Sequence, residues 1–285
     1  MSGIDKIAVV GVGIMGTGIT QNLLESDYSV NLMDLEKDIV DRAVASITKK
    51  LSENVQKSKI SEKDKTNMLT KLRIFTNLKE AVVGADYVIE AVAENMEVKK
   101  KVFKELDVYC DNDVILATNT SSLSITDIAS ITKRPQKVIG MHFSNPVAVM
   151  KGVEIIRGQG TSEETVEVCK AISKKMGKEV FIVKDYPGFA GNRLLSIFIN
   201  EAFYVLWQGI ASKEDIDNLC RTLLRHPMGP LELADFIGLD TLLALLEYLH
   251  KEIDEKYRPC PLLKQLVAAG HYGRKTKRGV YDYGG

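Results

Sequence analysis

A doubly wound, mostly parallel α/β sheet followed by an all-helical domain is the fold this sequence predicts. Three features carry that reading. Short β-branched runs alternate with helix-length amphipathic segments up to residue 185, a glycine-rich turn stands directly behind the first run, and the periodicity beyond Asn192 is purely helical. Strands separated by helices of this length form βαβ units with parallel strands. Tyr186-Pro187-Gly188 breaks both periodicities, which places a boundary near 185 and predicts domains over residues 1–185 and 186–285.

Lys6–Val10 (KIAVV) ends in glycine and reads as the first strand. Gly13–Glu25 reads as a helix and Tyr28–Met33 as the next strand. Residues 36–73 form a charged, helix-rich excursion, with a helix start at Ser61 and Glu62. Strand Tyr87–Ala91, helix Met96–Cys110, strand Val114–Ala117, a short helix over Ile125–Ala129 and strand Lys137–Met141 follow. Strands Val153–Ile156 and Val180–Val183 flank a helix over Glu163–Met176. In the second domain, apolar residues three or four apart mark helices Arg193–Trp207, Lys213–Leu224, Asp240–Glu252 and Leu262–Ala268.

Composition excludes several function classes. Lys plus Arg number 38, as do Asp plus Glu, so no bulk positive charge is available for nucleic acid. No apolar stretch approaches the roughly 18 residues that a membrane-spanning helix needs. The N-terminus passes directly into the first strand, so no signal peptide is expected. Cys110, Cys169, Cys220 and Cys260 are far apart and form no CxxC, which suits reduced thiols in a cytoplasmic protein. None of the four histidines has metal-ligand spacing to another His or to a Cys, so no metal is expected.

Gly11-Val12-Gly13-Ile14-Met15-Gly16 closes the first strand and opens the first helix. In such a turn Gly11 permits the tight bend, Gly13 lets backbone approach a pyrophosphate, and Gly16 lets helix and strand pack closely. The free N–H groups at the helix start face the anion. A lone GxGxxG is a weak signal. Here Asp34 adds an acid 18 residues beyond Gly16, at the end of the second strand, where it suits the ribose hydroxyls of NAD and repels a 2′-phosphate. The sheet is therefore expected to be of Rossmann type, with NAD as cofactor.

Further polar residues fall where a parallel sheet would place its carboxyl ends. They are Asn119-Thr120-Ser121-Ser122, then His142 with Asn145 after Lys137–Met141, then Glu154 twelve residues past His142. A histidine beside a carboxylate suits proton transfer at neutral pH.

Together these segments resemble the 3-hydroxyacyl-CoA dehydrogenase family, especially its short single-function 3-hydroxybutyryl-CoA dehydrogenases. The likeness spans essentially the whole chain and includes VGVGIMGTGI, ATNTSSLSI, GMHFSNPVAVMKGVEII, DYPGFAGNRLL, HPMGPLELADFIGLDT and GRKTKRGVYDY. It implies that His142 is the general base for the substrate 3-hydroxyl and that Glu154 orients it. It implies that Ser121 and Asn192 hydrogen-bond the reacting oxygen and thioester end. Glu94, Lys99, Asn119, Asn145 and Lys275 match positions lining the dinucleotide or the site. The excursion, with ten Lys or Arg against six Asp or Glu, matches a segment that contacts coenzyme A, so Lys50 and Lys57 are expected near its phosphates. The sequence departs from the family pattern at Ser144, Ala148, Gly152 and Ala190-Gly191, which bears on acyl-chain preference, and at Lys277, where the family carries glycine, which bears on the match of Lys275.

The helix rich in Leu242, Leu243, Leu245, Leu246 and Leu249 has more apolar surface than a small bundle can bury alone. A homodimer through the C-terminal domain is therefore expected, as the resemblance also implies. A dehydrogenase of a free hydroxy or sugar acid is the alternative, and would not need the lysines of residues 49–59. A relative that senses NAD without turnover would not need the Ser121, His142, Glu154 and Asn192 set.

Overall fold

The structure is a computed structural model and describes residues 3–284. The chain divides into two compact units, the first ending at Tyr186 and the second beginning at Pro187.

In the first unit, β1 (Lys6–Val10) leads through α1 (Ile14–Glu25) to β2 (Ser29–Met33). The excursion supplies α2 (Lys37–Gln56) and α3 (Glu62–Thr70), then β3 (Leu72–Phe75) and α4 (Leu78–Val82). After them come β4 (Tyr87–Glu90), α5 (Met96–Tyr109), β5 (Ile115–Thr118), α6 (Ile125–Ala129), β6 (Val138–Phe143), β7 (Gly152–Arg157), α7 (Glu163–Lys175) and β8 (Glu179–Lys184). The eight strands form one sheet in the order β3-β2-β1-β4-β5-β6-β7-β8. The strand order reverses between β1 and β4, and in such sheets ligands bind outside the carboxyl ends at that crevice.

Every pair is parallel except β6 with β7. Residues 144–151 are too few for the crossover helix that a parallel return needs, so the chain turns straight back. The central strands are buried on both faces, with Ile7, Val9, Val30, Leu32, Ile89, Ala117, Ile139 and Met141 in the core. Ile19 and Leu23 of α1 and Val166, Cys169 and Ile172 of α7 cover them.

Two elements here were not read from the sequence. The strand β3 lies in what was expected to be helix and linker, and α4 follows it. Two of the four residues of β3 are exposed, so its pattern is weak. Backbone pairing to β2, Val30 opposite Leu72, defines it instead. Helix α4 is short and starts where the Asn77 side chain accepts from the Glu80 N–H at 3.2 Å. The expected start at Ser61 is present as a reciprocal cap with Asp64: Ser61 Oγ accepts from the Asp64 N–H at 3.1 Å, and Asp64 Oδ2 accepts from the Ser61 N–H at 2.9 Å.

The second unit holds α8 (Gly191–Trp207), α9 (Lys213–Thr222), α10 (Pro230–Ile237), α11 (Leu239–Glu252) and α12 (Pro261–Ala268). Its core includes Ile199, Phe203, Leu231, Leu242, Leu246, Leu249 and Leu263. Helix α10 was also missed, because His226–Pro230 read only as a turn. It starts on Pro230, and the buried Asp217 accepts from the Leu231 and Glu232 N–H groups at 2.9 and 3.0 Å. The chain end is held by another buried carboxylate. Asp235 accepts from the N–H groups of Val280 and Tyr281 and from the Tyr283 hydroxyl. Lys277 sits at φ 59, a left-handed conformation that costs a side chain about 1 kcal/mol.

Among the described residues no helix is long and apolar enough to cross a membrane, and no group of His, Cys, Asp or Glu could hold a metal. The four cysteines are buried and free.

Candidate active site

A cleft of about 840 Å³ opens at the crevice between β1 and β4, lined by Gly11, Gly13, Asp34, Glu94, Asn119 and Ser121, among others. The three glycines meet three different surroundings. Gly11 sits at φ +99, and a Cβ there would lie 2.6 Å from the Ala91 carbonyl oxygen. A Cβ on Gly16 would lie 1.8 Å from the Gly11 oxygen, so α1 can pack against the turn only without one. A Cβ on Gly13 would meet nothing within 4 Å. Its backbone is open to the cleft at the very start of α1, whose first turn has no acidic residue. These residues fit a dinucleotide: an uncrowded helix N-terminus for the pyrophosphate and an acid at the end of β2 for a ribose. Ile14, which is 77% exposed, and Met15 border the same opening.

Asp34 also holds the turn. Its Oδ2 accepts from the Val12 N–H at 3.0 Å and its Oδ1 from the Leu35 N–H at 2.8 Å. Replacing Asp34 by Ala should weaken NADH binding and narrow the gap to NADPH, since one carboxylate orders the loop, accepts ribose hydroxyls and repels a 2′-phosphate. Fluorescence titration of both coenzymes checks this. A wild-type enzyme that turns over faster with low NADPH than with equal NADH would overturn the assignment.

The far wall of the cleft is built by carboxylates. Glu94 Oε1 accepts from the Thr120 hydroxyl at 2.6 Å and from the N–H groups of Ser121 and Ser122 at 2.9 and 3.2 Å. It thereby shapes the loop after β5 that carries Ser121. Beneath it lies a pair that is fully buried on both sides, Lys99 Nζ at 2.8 Å from Glu90 Oε1. Lys99 also lies 3.7 Å from Glu94 Oε2. Lys99, expected to line the dinucleotide or the site, has a side chain that is 0% exposed, its charge met by Glu90. Glu90, which backs the cleft wall through this pair, is a residue that sequence reasoning missed. It accepts in addition from the Thr118 hydroxyl at 2.6 Å and the Val92 N–H at 2.7 Å. Burial pushes its carboxyl up from the usual range, against the opposing pull of Lys99 and the other donors. The signal was available: an acid at the end of the apolar run Tyr87-Val88-Ile89.

Asn119 lines the cleft and reaches the next strand, where its Oδ1 accepts from the Phe143 N–H at 3.2 Å. Beside Phe143 is His142. The sequence reading ended the strand at Met141 and put His142 after it. In the structure β6 runs on through Phe143, because its partner β7 continues the ladder. His142 therefore stands directly opposite Glu154 in antiparallel register, with Nδ1 at 2.9 Å from Glu154 Oε2. Both side chains are nearly buried, 13% and 14% exposed. Asn145 follows in the exposed connection from β6 to β7.

The remaining expected residues each lie within their own unit. Lys50 and Lys57 are exposed on α2 and at its C-terminal cap, seven residues apart and so on one face, with Lys50 Nζ 3.1 Å from Glu53. In the second unit Asn192 lies in the first turn of α8, and Lys275 Nζ is 2.6 Å from Asp240 Oδ2. Of the family departures, Gly152 is explained by its neighbour: the Phe181 ring lies 3.2 Å from where a Cβ would stand, so β8 fills the space that a larger residue would take.

Comparison with known proteins gives a consistent result. The family model for 3-hydroxyacyl-CoA dehydrogenase, NAD binding domain, matches residues 6–186, and that for the 3-hydroxyacyl-CoA dehydrogenase C-terminal domain matches residues 188–283. The chain is 48% identical over 281 residues to a probable 3-hydroxybutyryl-CoA dehydrogenase of Bacillus subtilis, covering 98% of each chain. It is 47% identical to a 3-hydroxybutyryl-CoA dehydrogenase of Clostridioides difficile, covering 98% of this chain and 99% of that one. The solved (S)-3-hydroxybutyryl-CoA dehydrogenase of Ralstonia eutropha superposes with a TM-score of 0.96 at 45% identity, covering 99% and 100% of the two chains.

Proposed function

The chain belongs to the 3-hydroxyacyl-CoA dehydrogenase family, and from that premise we propose that it interconverts short-chain 3-hydroxyacyl-CoA, such as 3-hydroxybutyryl-CoA, and the corresponding 3-ketoacyl-CoA. It is an NAD-dependent oxidoreductase. When bound, NAD supplies the hydride chemistry at substrate C3. The protein supplies position and a proton path. Gly11, Gly13, Ile14, Met15, Gly16 and Asp34 hold the dinucleotide, with Glu94, Asn119 and Asn145 shaping the adjoining wall. His142 takes the proton of the 3-hydroxyl in the oxidative direction and returns it in the reductive one.

The observation that carries this reading is the His142–Glu154 pair, 2.9 Å apart in cross-strand register and joined to the cleft through Asn119. With Nδ1 on the carboxylate, proton transfer falls to Nε2, and the carboxylate favours the imidazolium that forms. Ser121 and Asn192 are assigned to hydrogen-bond the reacting oxygen and the thioester end. The test is a kinetic panel of 3-ketoacyl-CoA substrates of increasing chain length with NADH and NADPH, run beside free hydroxy acids. Turnover of the four-carbon thioester with NADH is expected. Preference for a free acid would instead support the alternative reading.

Lys50 and Lys57 are assigned to the nucleotide phosphates of coenzyme A. Replacing both by Ala should raise KM for acetoacetyl-CoA and leave kcat nearly unchanged, the pattern of lost uniform binding. Exposure keeps the effect modest and salt-dependent, so it is best read at low ionic strength. An unchanged KM there removes CoA from this face. A homodimer through the helical unit is supported by exposed Trp207, Ile210, Leu219, Leu223 and Leu224. A cytoplasmic location is supported by the four free cysteines.

A further inference from the structure

The two strands that carry His142 and Glu154 are joined by residues 144–151, and this connection is gripped from outside by a buried lysine. Lys178 stands between α7 and β8 and is 7% exposed. Its Nζ donates to the carbonyl of Val147 and, at 2.9 Å, to that of Met150. These carbonyls belong to a turn in which the N–H groups of Val149 and Met150 both donate to Pro146 O, at 3.0 and 2.9 Å. The lysine is itself anchored: its N–H donates to Ser173 O at 3.0 Å, and the next residue, Glu179, donates to Lys151 O at 2.8 Å. On its other side the turn meets the dinucleotide helix. Val147 is 2% exposed, and its Cγ2 would lie 3.1 Å from a Cβ on Gly18 of α1.

We propose that Lys178 is a positioning residue for the dehydrogenase reaction, its ammonium pinning the turn between β6 and β7 against α1 and so fixing where Asn145, His142 and Glu154 stand relative to the dinucleotide cradle. The inference rests on the assignment of His142 and Glu154 as the proton-transfer pair. Chemistry explains the residue type. An ammonium offers three donors and makes charge-assisted bonds to carbonyls, which a neutral side chain makes more weakly. A bound water could also bridge two carbonyls, but it would not tie them to the sheet. Burial pushes the Lys178 amine down from its ordinary range, and Glu25 opposes that shift.

The test compares wild type with Lys178→Met, Lys178→Arg and His142→Ala. NADH-competent sites are titrated by fluorescence, and kcat for acetoacetyl-CoA is expressed per competent site. Lys178→Met should lose tenfold or more in kcat per site while its NADH dissociation constant stays within about threefold, because the glycine turn is built by other elements. Lys178→Arg, which keeps the donors, should recover part of the loss. A purely structural role predicts otherwise: fewer competent sites with the same kcat per site, and that result overturns the proposal. So does an Arg variant no better than Met. If Lys178→Met yields no competent protein, Lys178→Gln, with a shorter donor, carries the same comparison and the same two outcomes. His142→Ala separates the levels. If it stays active, the proton-transfer assignment has failed. If it is inactive while Lys178→Met keeps its kcat per site, only the Lys178 proposal has.

Discussion

Replacing His142 by Ala is expected to lower kcat for acetoacetyl-CoA by roughly 10²–10⁴-fold, the usual worth of a positioned general acid–base. The imidazole Nδ1 stands 2.9 Å from Glu154 Oε2, inside a β-ladder that fixes the register of the two strands. Glu154→Gln keeps size and one hydrogen bond but removes the charge that favours the imidazolium. It should cut kcat substantially and leave NADH affinity close to normal, since the cradle of Gly11, Gly13 and Asp34 stands just past the ends of β1 and β2. The double variant should be little worse than His142→Ala, because residues acting as one unit are not additive. Steady-state kcat for the four proteins, with NADH binding by fluorescence, decides it. A fully active Glu154→Gln, or single effects that multiply in the double, would separate the two residues.

The second large effect is on stability. Glu90→Leu should destabilise the protein by roughly 3–5 kcal/mol, the range for breaking a buried ion pair from one side. It leaves the fully buried Lys99 with Glu94, 3.7 Å away, and the Asn119 carbonyl, 3.5 Å away, in place of its close carboxylate partner. Lys99→Met should be milder in acid and grow worse as pH rises. The sign follows from Glu90. Burial raises its carboxyl above the ordinary Glu range, so what it contributes as a neutral acid is complete below that range and is lost as pH climbs through the raised value. Without Lys99 the neutral form is the only comfortable one. The double variant Glu90→Leu, Lys99→Met should be more stable than Glu90→Leu alone, since no buried charge remains. Urea midpoints across pH measure all three. A pH-independent Lys99→Met penalty, or a double variant worse than Glu90→Leu, would show that the pair is not buried as a unit.

Much of the fold was legible because its signals are local. The run Lys6–Val10, the glycine turn and the start of α1 each specify their own conformation. The β-branched strands and amphipathic helices alternate strongly enough to imply parallel βαβ units. The strand β3 and helices α4 and α10 were illegible for the opposite reason. The four residues of β3 expose two and owe their conformation to pairing with β2, and α10 borrows its start from Asp217, thirteen residues upstream of Pro230. The burial of Lys99 was illegible for a related reason. Motif matching identifies a position, but whether a lysine faces a cleft or an internal carboxylate depends on where Glu90 ends its strand.

By itself the sequence determined the phosphate turn and the acid at Asp34, while the roles proposed for His142 and Glu154 came from the family resemblance. The turn and the acid follow from composition and spacing over a few residues, on which backbone freedom, charge and side-chain chemistry act directly. Only the tertiary structure decided that His142 and Glu154 face each other. That outcome needs β7 to run antiparallel to β6 in a register where a one-residue slip would turn Glu154 to the other face of the sheet. It needs a connection too short for a crossover, and Lys178, twenty-four residues past Glu154, to grip that connection by its carbonyls. Register and burial are set by strand pairing and by where a charge finds its partner, which residue types and spacing alone do not state.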